Sequence, residues 1–272
     1  MAAANTSGKR AVRFFCAFAA GLLAVTALAF GRMATRGEGS GSERAAAGAV
    51  PSADRVLERY LEATGGRAAW ESVHSRVSKG IVNIPDMQMA GTAELYEKAP
   101  DRALVKMVVS GATFLEGFDG TTAWSSDPKD GLQEQTGAQL AETRRESDFR
   151  YPLDFRKLYK SLSAVSAAKI GDRSVYVIDV TPPDCGEPDR AYFDAGTDFL
   201  IRMVIQHHDN DGSVKPFEED YGDYRAVDGV KVPFMIHQSG SQIDFTIQLN
   251  EVHQNLELDD ARFSKPPKGV AQ

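Results

Sequence analysis

Residues 223–252 constrain the fold most. Two runs, 230–237 and 243–250, flank the turn cluster Gln238-Ser239-Gly240-Ser241. In the second run Ile243, Phe245, Ile247 and Leu249 fall on one side of the alternation, and Asp244, Thr246, Gln248 and Asn250 on the other. A period of two with one apolar and one polar set marks a strand with one buried and one wet face. The pattern recurs through most of the chain beyond residue 75. The expected fold is one large antiparallel sheet whose apolar face needs a cover.

Segments 75–84, 88–98, 102–110, 113–118 and 121–126 read as strands, with Asp119-Gly120 as the hairpin turn between the last two. A polar, loop-like stretch follows at 129–139. Strands resume at 163–170, 174–181, 190–194, 199–208 and 214–226, separated by turn formers such as Asn210-Asp211-Gly212 and Asp228-Gly229. Pro233 inside a strand points to an edge or a bulge. The total is about eleven strands, without the strand–helix alternation of a parallel α/β fold.

Two helical regions interrupt this series. Ser52 can cap a first helix carrying the stripe Val56, Leu57, Tyr60 and Leu61, and Gly65-Gly66 ends it. A short turn at 67–73 then presents Trp70. An insert follows at 138–160, with good helix formers up to 149 and Pro152 in the first turn of a second segment. The fold class is mainly β with added helices (α+β): a large curled antiparallel sheet covered by an N-terminal helix and a helical insert. A sheet of that size curls, and its concave apolar face is filled by helices or by a ligand.

The N-terminus has a different character. Lys9, Arg10 and Arg13 precede the apolar run 14–30, and Ala27-Leu28-Ala29 is a small-residue cleavage pattern. Together these read as a secretory signal over 1–30, cleaved or retained as an anchor. Arg32, Arg36 and Arg44 follow closely, a charge placement that disfavours translocation. Residues 31–51 form a Gly/Ala/Ser-rich linker, 52–267 the folded domain and 268–272 a tail. The folded part is expected outside the cytoplasm, periplasmic or secreted.

Cys16 lies inside the export segment, so the mature chain has one thiol, Cys185, and no internal disulfide. Cys16 stands at the start of the apolar run, the wrong place for a lipidated cysteine. Formal charge is -7, and residues 1–52 are basic, so the domain itself is distinctly acidic. That argues against nucleic acid, whose phosphates need a basic surface.

Chemistry-bearing patterns are weak. His207-His208-Asp209-Asn210-Asp211-Gly212 with Glu218 partly fits a calcium loop, but His207 takes the first ligand position, Pro216 interrupts it and strands flank it. The plainer reading is an Asn-Asp-Gly hairpin with solvated acids, and no metal is expected. Glu218 and Asp220 share a strand face, which would suit acid–base work or simply a wet surface. There is no G-x-S-x-G elbow. Asp184 and Glu187 beside Cys185 disfavour a thiolate, so no catalytic residue and no cofactor are expected. The remaining feature is apolar. Leu95, Phe114, Trp124, Phe193, Phe234, Phe245 and Ile247 are either plain core or the lining of a lipid-accepting concave face. Leu153, Phe155 and Leu158 of the insert would then form its lid.

Several phrases carry a resemblance: Tyr60-Leu61-Glu62-Ala63-Thr64-Gly65-Gly66, Asp119-Gly120-Thr121-Thr122-Ala123-Trp124 and Tyr192-Phe193-Asp194-Ala195-Gly196-Thr197. Glu219-Asp220-Tyr221-Gly222-Asp223-Tyr224 leads into a fourth, Val227-Asp228-Gly229-Val230-Lys231-Val232-Pro233. With the layout of residues 52–266, they resemble poorly characterised relatives of the periplasmic lipoprotein-carrier family, the outer-membrane lipoprotein-sorting proteins. The resemblance implies an open half-barrel that takes up lipid or lipoprotein acyl chains, without chemistry, cofactor or metal. It would act as a monomer with an envelope protein as a possible partner. The alternatives are a non-catalytic envelope interaction or scaffold module with a filled core, and a hydrolase built on residues 214–226.

Overall fold

The computed structural model describes residues 50–183, 187–208, 213–240 and 244–267. The export segment, most of the linker, Cys185, residues 209–212, Ile243 and the tail lie outside them. No helix among the described residues is long and apolar enough to cross a membrane.

The chain begins with α1 (Ala53–Ala63) and α2 (Gly66–Ser72). Ser52 caps α1, its side chain accepting from the Arg55 N–H at 3.3 Å, and Val56, Leu57 and Tyr60 are buried. The stretch expected to be a turn after Gly65 is a second short helix. It is held by the Trp70 indole N–H, which donates to Thr64 Oγ1 at 3.1 Å. Gly65, at φ 128°, is required there, because a Cβ would stand 2.5 Å from the Gly229 carbonyl oxygen.

Six strands follow: β1 (Ser75–Ile84), β2 (Met89–Lys98), β3 (Arg102–Val109), β4 (Ala112–Phe118), β5 (Ala123–Asp127) and β6 (Gly131–Glu134). The helices α3 (Gly137–Glu146) and α4 (Tyr151–Leu158) make up the insert. Then come β7 (Ser161–Leu162), β8 (Ser166–Ile170), β9 (Arg173–Thr181), β10 (Asp189–Asp194) and β11 (Leu200–His208). The last three strands are β12 (Val214–Val227), β13 (Val230–Gly240) and β14 (Asp244–Gln254). Among the described residues the sheet has fourteen strands, more than the roughly eleven expected. The polar stretch 129–139 contributes β6, β7 lies just ahead of the expected strand at 163–170, and only the latter part of that segment forms β8.

All pairings are antiparallel, in the order β6-β5-β4-β3-β2-β1-β14-β13-β12-β11-β10-β9-β7, with β8 also on β9. The first and last strands meet at the centre, so two meanders run outward from the β1/β14 pair. The chain therefore leaves one edge at β6 and re-enters at the opposite edge, and α3 and α4 span the gap. The sheet is not closed into a barrel. A sheet this wide accumulates twist and curls, giving a concave face for the helices to cover.

The register of β1 against β14 shifts between Lys79 and Gly80, skipping Asn250. This bulge keeps Leu249 and Val252 on the same face although they are three residues apart. Pro233 lies in an interior strand, but the β13–β14 pairing runs only from Met235 to Ser239. Pro233 thus sits where β13 is locally an edge, and Lys231 N–H there donates to the Thr64 carbonyl at 2.8 Å. The β4–β5 connection is four residues long, with Asp119 Oδ1 accepting from the Thr121 and Thr122 N–H groups.

Two apolar clusters fill the concave side. One joins Trp70 and Phe149 to β1–β3, β13 and β14; the other joins α1, Phe155 and Tyr159 to β9–β12. On the convex side Phe263, fully buried, covers Trp124, whose indole N–H donates to the Phe263 carbonyl at 2.9 Å.

Candidate functional site

At the seam of the two concave clusters lies a cavity of about 160 Å³. Its apolar wall comes from the sheet: Leu95, Val105, Val232, Ile247 and Leu249. Its roof is largely aromatic, with Tyr60, Trp70, Phe149 and Tyr151 carried by the helices and their connections. Polar groups also line it. Glu219 is 1% exposed and accepts from Tyr221 Oη–H at 3.0 Å and Gln238 Nε2–H at 2.9 Å. Glu146 on α3 is buried, and burial together with the neighbouring Glu142 carboxylate pushes its carboxyl well above the usual range. Burial raises Asp148 to about 6.

The cover is tied down by polar contacts. The buried residues of α3 are Glu142, Thr143, Arg145 and Glu146, not an apolar stripe. Glu142 Oε1 meets His207 Nδ1 at 2.6 Å, and its Oε2 accepts from the His208 N–H at 3.3 Å. Burial alone would raise the Glu142 carboxyl, but the hydrogen bonds to His207 and His208 outweigh it and hold the group at about 2. Arg145 reaches Asp189, which is fully buried on β10, at 3.6 Å. At the opposite end of the sheet Thr143 Oγ1–H donates to Gln135 Oε1 just beyond β6. Arg150 Nη2–H donates to the Glu71 and Val73 carbonyls at 3.1 and 3.3 Å. The insert is thus a strap fixed to both flanks of an open sheet and to α2.

Of the residues expected to bind ligand, Leu95 and Ile247 line the cavity. Phe234, Phe245 and the half-buried Phe114 fill the first cluster, and Phe193 the second, under α1 and α4. Trp124 is a correction. It pairs across strands with Gly117, which pairs with Leu104 and so with Tyr96, whereas the cavity-lining Leu95 and Val105 occupy the alternate positions. Trp124 therefore faces the convex side. Among the lid residues, Phe155 and Leu158 join the second cluster and Leu153 packs on the first, while Tyr151 and Pro152 of the same helix reach the cavity.

The acidic strand β12 divides by parity. Glu218 and Asp220 face outward, where Arg202 binds both, its Nε and Nη2 gripping Asp220 at 2.6 and 2.7 Å. Glu219, between them, faces the cavity. Alternation with Phe217 and Tyr221 was the sequence signal for that buried acid. His207 and Glu218, two of the calcium-loop positions, are engaged by different partners. Among the described residues no group of three or more His, Cys, Asp or Glu could hold a metal.

The outward row continues to His237. The Asp220 carboxylate at 3.8 Å and Asp244 at 3.1 Å raise it from 6.5 to about 9. A raised histidine stabilises the fold fully below its unfolded pKa, and that contribution is lost as pH rises through the folded value. Urea unfolding should therefore show about 1 kcal/mol less stability at pH 10 than at pH 6 from this row, after solvent screening. His237→Gln should flatten that slope. An unchanged slope in the variant would show that the row contributes nothing.

No family model matches the chain, and no curated protein matches it in sequence. Among solved structures it is similar to a DUF1329 family protein from Desulfovibrio piger, at 10% identity and TM-score 0.51, covering 78% of this chain and 96% of that one. It is also similar to a LolA superfamily protein from Nitrosomonas europaea, at 14% identity and TM-score 0.50, covering 79% and 98%. A putative outer membrane lipoprotein-sorting protein domain from Vibrio parahaemolyticus aligns at 11% identity and TM-score 0.49, over 78% and 95%. At these identities the first two likenesses show a shared fold.

Proposed function

We propose that this chain is an exported binding or carrier protein that holds an acyl chain, or a similar hydrophobic group, between the concave sheet face and the α3–α4 strap, without chemistry. The observation that carries this reading is the cavity at the seam of the two clusters, with Leu95, Val105, Val232, Ile247 and Leu249 as an apolar wall and an insert held over it mainly by side-chain contacts. A fold shared with a LolA superfamily protein supports it. Apolar burial supplies about 25 cal/mol per Å² before ordering costs. A cavity of about 160 Å³ is of the size that takes up a benzene-sized apolar molecule, so the covered cavity accepts a short stretch of chain. Longer ligands require the strap to move. Glu218 and Asp220, both held by Arg202 on the outer face, are poorly placed for hydrolysis.

A specific observation favours a second reading. Phe155, Phe193 and Phe245 already fill much of the concave face, as they would in an envelope interaction module with a closed core.

Native mass spectrometry with lipid extraction on the full chain from an envelope fraction separates the two. Co-purifying acyl species are expected, reduced at least tenfold, about 1.4 kcal/mol, by Leu95→Trp, which fills the cavity without adding charge. A ligand-free mass, with no uptake of a fluorescent fatty acid, would leave the interaction module as the better account.

A further inference from the structure

The concave face is graded from polar to apolar along its central strands. In β2–β1–β14 register, Glu97, Arg76 and Gln254 form one row, and Leu95, Ser78 and Val252 the next inward. Ala93, Gly80 and Leu249 follow, then Gly91, Val82 and Ile247. Arg76 and Gln254 of the first row are buried but unsatisfied. Arg76 is 8% exposed and lines the cavity, with its guanidinium 5.5 Å from the Trp70 ring centre and 5.2 Å from that of Phe149. Nη1 makes long contacts to Glu97, at 3.3 and 3.5 Å. Nε and Nη2 have no partner among the described residues, nor do Nε2 and Oε1 of Gln254 beside them, 7% exposed.

Nε and Nη2 form the side-on fork of a guanidinium, which matches the two oxygens of a carboxylate or phosphate. Elsewhere in this chain the same fork is filled by such a group: Arg202 grips Asp220, and Arg225 grips Asp223 at 3.0 and 2.5 Å. A buried cation with one long ion pair and two unmatched donors is costly unless something completes it.

We infer that the ligand is an amphiphile with an anionic head, carboxylate or phosphate, held bidentately by the Nε–Nη2 fork of Arg76 with Gln254 alongside, its chain running inward over Leu95 and Ile247. This rests on the cavity binding an apolar chain. Of the other lining acids, burial biases Glu146 toward the neutral form, Asp148 is neutral only below about pH 6, and Glu219 accepts from Tyr221 and Gln238.

The test uses the full chain and three six-carbon probes scaled to the cavity: hexanoate, hexyl phosphate and hexanol, titrated by ligand-observed NMR. At least one anion should bind tenfold or more tightly than hexanol, and the preferred one identifies carboxylate or phosphate as the head. Arg76→Lys keeps the charge but not the fork, and should lose most of that preference for the anion over hexanol. Wild-type binding of hexanol as tight as both anions would overturn the anchor and leave the acyl-chain reading standing. Binding of none of the three would overturn both. The wild-type comparison decides the matter even if a variant fails to fold.

Discussion

Phe155→Ala should lower the stability of the domain by about 3–5 kcal/mol, the range for removing a fully buried aromatic ring. Phe155 is 1% exposed, with its ring centre 5.1 Å from that of Tyr151, 5.2 Å from Tyr159 and 5.9 Å from Phe193. Phe193 in turn meets Tyr60 of α1 at 5.4 Å. One side chain thus joins α4, α1 and β10, and the void left by its loss is walled by rings that cannot collapse into it. Thermal unfolding should shift down by roughly 10 °C. Half-buried Leu158, replaced by Ala, should cost less than half as much. If α4 is part of the gate, Phe155→Ala should also take up a fatty-acid probe faster. A loss under about 1 kcal/mol would mean that the insert is not docked through this residue.

Arg145→Leu should be comparably damaging for an electrostatic reason. It removes the cation 3.6 Å from Asp189, a carboxylate with no exposed surface, and leaves that charge in a low-dielectric interior. Breaking a buried pair from one side costs about 3–5 kcal/mol, whereas replacing both partners often costs little. Arg145→Leu with Asp189→Asn should therefore recover most of the loss in a double-mutant cycle. Additive losses would show that the two side chains stabilise the fold independently. The contrast with Phe155 separates the two attachments of the cover. The α4 attachment is apolar packing, and the α3 attachment is a set of buried polar pairs.

The sequence made these two attachments unequally visible. Leu153, Phe155 and Leu158 announce an apolar face, so α4 was expected to seal the sheet. The buried face of α3 consists of Glu142, Thr143, Arg145 and Glu146, residue types that read as solvated, and its function depends on His207, His208 and Asp189 from distant strands. Arg76 and Gln254 are hidden in the sequence for the same reason. Their positions are in phase with inward-facing neighbours, but polar residues near strand ends are normally wet. The Trp124 expectation failed because aromaticity says that a residue is buried, not on which side of a two-faced sheet. The convex face of β2–β5 has its own apolar cover in the segment around Phe263.

Local pattern determined the strands, the Ser52 cap, the helix end at Gly65-Gly66 and the parity of each side chain along its strand, because these depend on neighbours two to four residues away. Such a pattern fixes alternation but names no partner. Only the tertiary structure decided that β1 pairs with β14, which sends the two meanders to opposite edges and forces the insert across the open mouth. The same pairing, with its bulge at Asn250, places Gln254 beside Arg76 and Glu97. A polar row built from residues 76, 97 and 254 exists because long-range register was satisfied by burying the apolar rows beyond it. No short-range signal in the chain encodes that outcome.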